Sequence, residues 1–81
     1  MIMTSKIKQL VQQFVSGADT SIGAANEIEV AMDDRFPEDD YVKQTVEMLA
    51  MYRPEGGEFL FDTATITERL IETMKHLRKH A

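Results

Sequence analysis

Gly17, Pro37 and the run Arg53-Pro54-Glu55-Gly56-Gly57 cut this chain into four stretches, each with apolar residues at helical spacing. Breakers combined with that period leave little room for any fold but a helical one. In the first stretch Ile7, Leu10, Val11, Phe14 and Val15 line one face of a helix expected over 6–16. Thr4 or Ser5 is placed to cap it, and Gly17 to end it. The second helix, over 21–34, opens at a cap on Asp19 or Thr20 and aligns Ile22, Ala25, Ile28, Met32 and Phe36. Gly23, Ala24, Ala25 and Ala31 keep it slim, so a neighbour can approach closely.

The third helix, over 38–52, follows Pro37 and carries Glu38, Asp39 and Asp40 in its first turn, where carboxylates suit the helix dipole. Val42, Val46, Leu49 and Tyr52 form its stripe, and Arg53-Pro54 ends it. The fourth, over 66–79, has the Thr65/Glu68 spacing of a capping box. Ile66, Leu70, Met74 and Leu77, with Ile71 beside them, face inward, and Lys75, Arg78 and Lys79 suit its C-terminal end. Between the last two helices, Phe59 and Phe61 alternate with Leu60 as in an extended segment, placed either to seal the core or to stand out as anchors. No strand pattern, repeat or low-complexity segment competes. The expected fold is all-α, a compact antiparallel four-helix bundle, with 1–81 as one domain.

A chain of 81 residues buries only about 60% of its unfolded surface, so its stability is modest unless a partner adds to it. It has no cysteine, which excludes a disulfide framework and a cysteine metal site. No run of about 18 apolar residues offers a membrane span, and the first residues lack the apolar run and cleavage site of a signal peptide. The expected location is the cytoplasm.

Charge is unevenly distributed. Residues 27–62 hold eleven carboxylates and three basic side chains, a net of −8 in a chain whose total is −5. Phosphate and anionic lipid both need a basic surface, so nucleic acid and membrane are excluded as direct partners. A focused negative potential speeds encounter with a basic protein, although acidity also serves solubility. Asp33 and Asp34 close the second helix, the wrong sign for its negative end. They read either as a functional conflict or as a solvated turn offset by Arg35.

The search for chemistry is nearly empty. His76 and His80 share a face at i and i+4, but only Glu72 lies within a turn of them, so no metal is expected there. Paired acids at 33–34 and 39–40 lack the twelve-residue calcium loop. Gly56-Gly57 follows a helix and lacks the Lys-Ser/Thr of a phosphate cradle. No enzyme and no cofactor are expected.

Gln13-Phe14-Val15-Ser16-Gly17, followed by a helix opening Ser21-Ile22, resembles the start of colicin D-type immunity proteins. Met51-Tyr52-Arg53-Pro54-Glu55 resembles that family's aromatic-X-Pro-acid element, followed by an acidic loop and a last amphipathic helix. The likeness runs over most of the chain, and the Tyr52–Glu55 element is its specific part. The resemblance implies a monomer, or a 1:1 complex with a cognate nuclease toxin domain that cleaves tRNA, delivered by a colicin or a contact-dependent inhibition system. Carboxylates would take the place of RNA phosphates in a basic active site. Carried over, Tyr52 and Glu55 match the motif, and Glu58 and Asp62 fall in the loop. Where the family has an acid one turn before the aromatic residue, this chain has Ala50 and Met51, with Glu47 the nearest acid. Glu47, Asp33 and Asp34 are the supporting charges.

Two other readings stand beside it. The chain is similar in size and charge to an acyl carrier, with Ser21 as the phosphopantetheine site. Thr20 nevertheless separates Asp19 from Ser21, where a carrier has Asp-Ser-Leu. A helical regulatory interaction module is the remaining alternative. Within the acidic block, Glu38, Asp39 and Asp40 have a reason in the start of a helix. Glu55, Glu58 and Asp62 have none from local sequence, which places the working edge at the loop.

Overall fold

The computed structural model describes residues 2–79, with side chains from Lys6 to Arg78. Four helices follow one another: α1 (Ile2–Val15), α2 (Ile22–Arg35), α3 (Asp40–Ala50) and α4 (Thr63–Lys79). α1 and α3 each lie against both α2 and α4, and among the described residues the backbones of the two diagonal pairs do not approach closely. Asp39, at the start of α3, reaches His76 near the end of α4. At the other end of α3, Tyr52 reaches Thr20, just before α2, and Thr63, the first residue of α4. Neighbouring helices therefore run antiparallel, and the molecule is the expected all-α four-helix bundle. Among the described residues there is no strand, only one isolated parallel bridge between Tyr52 and Phe61.

One buried cluster joins all four helices. It takes Ile7, Val11 and Phe14 from α1, and Ala24, Ala25, Ile28 and Met32 from α2. The other half supplies Val42, Leu49, Tyr52, Ile66, Leu70 and Leu77. Phe14 and Tyr52 meet edge to face, with ring centres 5.2 Å apart. Leu10, Val15, Phe36, Val46 and Met74 pack around the margin. Two residues expected in the core are exposed instead, Ile22 and Ile71. Ile22 is the first residue of its helix, beyond the cover of its neighbours. Ile71 lies 100° round α4 from fully buried Leu70, at the edge of a surface groove.

The helix ends depart from expectation, each for a local reason. α1 begins at Ile2, upstream of Thr4 and Ser5; the side chains of Thr4 and Ser5 lie outside the described residues. Ser21, not Asp19 or Thr20, caps α2 by accepting the Ala24 N–H at 3.0 Å. Asp19 accepts the Ser21 N–H at 3.2 Å, one step earlier. Asp39 caps α3, taking the Val42 N–H, so Glu38 stands outside the helix and only Asp40 falls in its first turn. α4 begins three residues early. Asp62 accepts the Thr65 N–H at 2.9 Å, and its own carbonyl takes the Ile66 N–H. The expected capping box on Thr65 is thereby displaced.

Candidate functional site

The loop between α3 and α4 is closed at its base. Arg53 N–H donates to the Phe61 carbonyl and Phe61 N–H to the Met51 carbonyl, at 2.9 and 3.1 Å. This bridge draws Tyr52 out of α3, which is why the helix ends at Ala50. Above the base lie two tight turns. Gly56 N–H closes on the Arg53 carbonyl and Leu60 N–H on the Gly57 carbonyl. Gly56 has φ of 73°, and a Cβ there would stand 3.4 Å from Asp62 Cβ. The two phenylalanines take opposite places. Phe61 lies against the core, and Phe59 is 81% exposed with φ of 63°.

Tyr52 anchors this loop from inside. The residue is 1% exposed. Its hydroxyl lies 2.6 Å from the Thr20 carbonyl, to which it donates, and 2.8 Å from Thr63 Oγ1. The residue that carries the immunity-type motif thus has no surface to offer a partner. It positions the loop by tying the α1–α2 connection to the head of α4. Asp62 also has a structural role that the local sequence did not show. As cap of α4 it holds a dipole, and the Thr65 N–H keeps its carboxylate below the usual range.

Glu47, Glu55 and Glu58 remain. All three are exposed, and none has an ion-pair partner among the described residues. Glu47 sits one turn before Met51 on α3, on the way to the loop. Around them stand exposed apolar groups, Met51, Phe59 and Leu60. Carboxylates around an exposed apolar tip can meet a basic surface that also offers a recess. Asp33 and Asp34 do not join this patch. They are exposed in the last turn of α2, at the other end of the bundle. The eleven-residue length of α3, about 16 Å, separates the two ends. The acidic block, continuous in sequence, is therefore split between two poles.

A second polar assembly, between α3 and α4, escaped the sequence reading. Asp39 accepts from His76 Nε2, with its oxygens at 2.8 and 3.1 Å. That interaction, more than the Val42 N–H, holds the Asp39 carboxyl below its ordinary value. The His76 ring stacks on Tyr41 at 4.7 Å, and the Arg69 guanidinium lies 3.8 Å from the centre of the same ring. Arg69 also donates to Thr45 Oγ1 and to the Tyr41 carbonyl. Thr45 and Thr73, both fully buried, face each other at 2.8 Å. His76 is thus engaged with Asp39; His80, the other histidine of the i, i+4 pair, lies outside the described residues. Among the described residues no three His, Asp or Glu side chains gather as a metal site. None of the described helices is long and apolar enough to cross a membrane. The hydroxyl of Ser21, the carrier-type serine, accepts the α2 cap bond.

No protein-family model, curated protein or solved structure matches the chain.

Proposed function

We propose that this protein is an immunity protein, one that binds a basic nuclease toxin domain of the tRNA-cleaving class and blocks its active site with carboxylates. The observation that carries the reading is the loop over 53–60. It is held from below by buried Tyr52 and presents Glu55 and Glu58, which have no ion-pair partner among the described residues. A loop backbone already held in place loses little freedom on binding, so more of the attraction of its carboxylates to a basic groove is kept as affinity. Glu47 extends the same edge along α3. Tyr52 and Asp62 act by positioning, one through the core and the other through the α4 cap. Asp33 and Asp34, at the far pole, add to the long-range field that steers a basic partner.

Co-expression tests the reading directly. The chain is produced together with the basic nuclease domain of a toxin gene adjoining its own. Growth should be restored, and the purified pair should elute as a 1:1 complex. A nuclease domain that kills as fast with the chain as without it would sink the proposal.

A further inference from the structure

We propose that the groove between α1 and α4 binds an anionic single-chain amphiphile of the medium-chain fatty-acid class, independently of the acidic loop. The groove is open to solvent and has a volume of about 900 Å³, within the range of about 300–1,000 Å³ common to small-molecule sites. Val11 is buried at its floor, Val15 and Met74 are half-buried, and Ile71 is 39% exposed at its edge. Lys8 and Arg78 stand on its rim together with the exposed Gln9, Gln12, Gln13 and Ser16, and neither cation has a carboxylate partner among the described residues. The arrangement is directional. Lys8 lies two turns before Val15, and Arg78 two turns after Ile71, each about 10.5 Å along its helix. Because α1 and α4 run antiparallel, the step from Val15 to Lys8 and the step from Ile71 to Arg78 point the same way along the groove. The floor of Val11, Val15 and Met74 therefore suits an apolar tail, and the cations on the rim suit a carboxylate. No acid lines the groove, in a chain with 14 acids against 9 bases.

Methyl and amide NMR spectra of the whole chain, titrated with octanoate, test this. Octyl glucoside serves as the uncharged counterpart and an acidic amphipathic peptide as the rival occupant. Octanoate should give saturable shifts centred on Val11, Val15, Ile71 and Met74. It should bind about tenfold tighter than octyl glucoside, the worth of a charge-assisted hydrogen bond. The Lys8→Glu/Arg78→Glu pair should abolish that preference, and Ile71→Lys should weaken both ligands, with helicity by circular dichroism unchanged. Equal binding of the two amphiphiles overturns the proposal. So does saturation by the peptide with no response to octanoate, which would make the groove a protein interface.

Discussion

At Phe59 the chain puts a bulky side chain where the backbone asks for glycine. It is the third residue of the Gly57–Leu60 turn, with φ of 63° and its ring 81% exposed. A left-handed conformation costs an L-residue about 1–2 kcal/mol, and little ring burial offsets that here. Glycine at this position gives back about 0.4–1 kcal/mol through a freer unfolded chain. Phe59→Gly should therefore be neutral or stabilising by up to about 1 kcal/mol in urea unfolding. A clear loss of stability would mean that the ring packs in solution and that the strain reading is wrong. Asp39 makes a second case. His76 and the Val42 N–H hold its carboxyl below the ordinary 3.8. Its folded value is the lower one, so its contribution is complete above 3.8 and fades as pH falls through the folded value. Asn caps a helix about as well as Asp. Asp39→Asn should thus keep the cap and lose the carboxylate that faces His76. The variant should be less stable than the parent near neutral pH and converge with it in acid. Parallel urea midpoints across that range would remove the pair from the account.

Between elements, the α3–α4 seam is asymmetric, and two hydroxyls that look alike should differ in worth. Thr45 Oγ1 meets the Arg69 Nε–H, the Thr73 hydroxyl and the Tyr41 carbonyl. Thr73 meets Thr45 and, as a fallback, the Arg69 carbonyl of its own helix at 2.7 Å. Thr45→Val leaves the Arg69 Nε–H without its acceptor and should cost about 1–3 kcal/mol. Thr73→Val leaves Thr45 with two partners and should cost under about 1 kcal/mol. Chemical denaturation of both variants decides it; equal losses would mean that the hydroxyls act as one unit. This seam also shows where sequence reading stopped. Helical period found four helices and most of the inward faces, because burial and the 3.6-residue repeat act locally. Thr45 and Thr73 lie on those faces, but a search for apolar spacing passes over them. The Asp39–His76 pair spans 37 residues, and no local rule joins such a pair. The ends of α3 and α4 differ from expectation because several cappers compete there. Asp62 and Thr65 are both suited to the start of α4, and the tertiary bridge at Phe61 favours Asp62. The same competition changes the site. Glu55 and Glu58 remain candidates, whereas Asp62 is a cap and Tyr52 a core residue, roles that only the packing of distant segments reveals.

Over the whole molecule, folding converts one acidic block into two poles, and the poles should separate in kinetics. The loop pole, with Glu47, Glu55 and Glu58, is where the toxin is proposed to touch; Asp33 and Asp34 at the other contribute field only. Glu55→Lys/Glu58→Lys and Asp33→Lys/Asp34→Lys each raise the net charge by four, from −5 to −1. Exposed substitutions of this kind should move stability by no more than about 0.5 kcal/mol, and lower self-repulsion favours the folded state. Asp62→Lys is a poorer probe, because removing the α4 cap costs about 1 kcal/mol by itself. Against a basic toxin domain, both pairs should slow association by about tenfold at low salt. The difference should shrink as the Debye length falls below about 8 Å. Only the loop pair should also speed dissociation, because only its carboxylates are proposed to touch the partner, and a weakened interface shows itself chiefly in the off-rate. Stopped-flow association and dissociation rates over a salt series give both numbers for each variant. If the two pairs slow association alike and neither changes dissociation, the loop supplies potential without touching the toxin, and the interface lies elsewhere on the bundle.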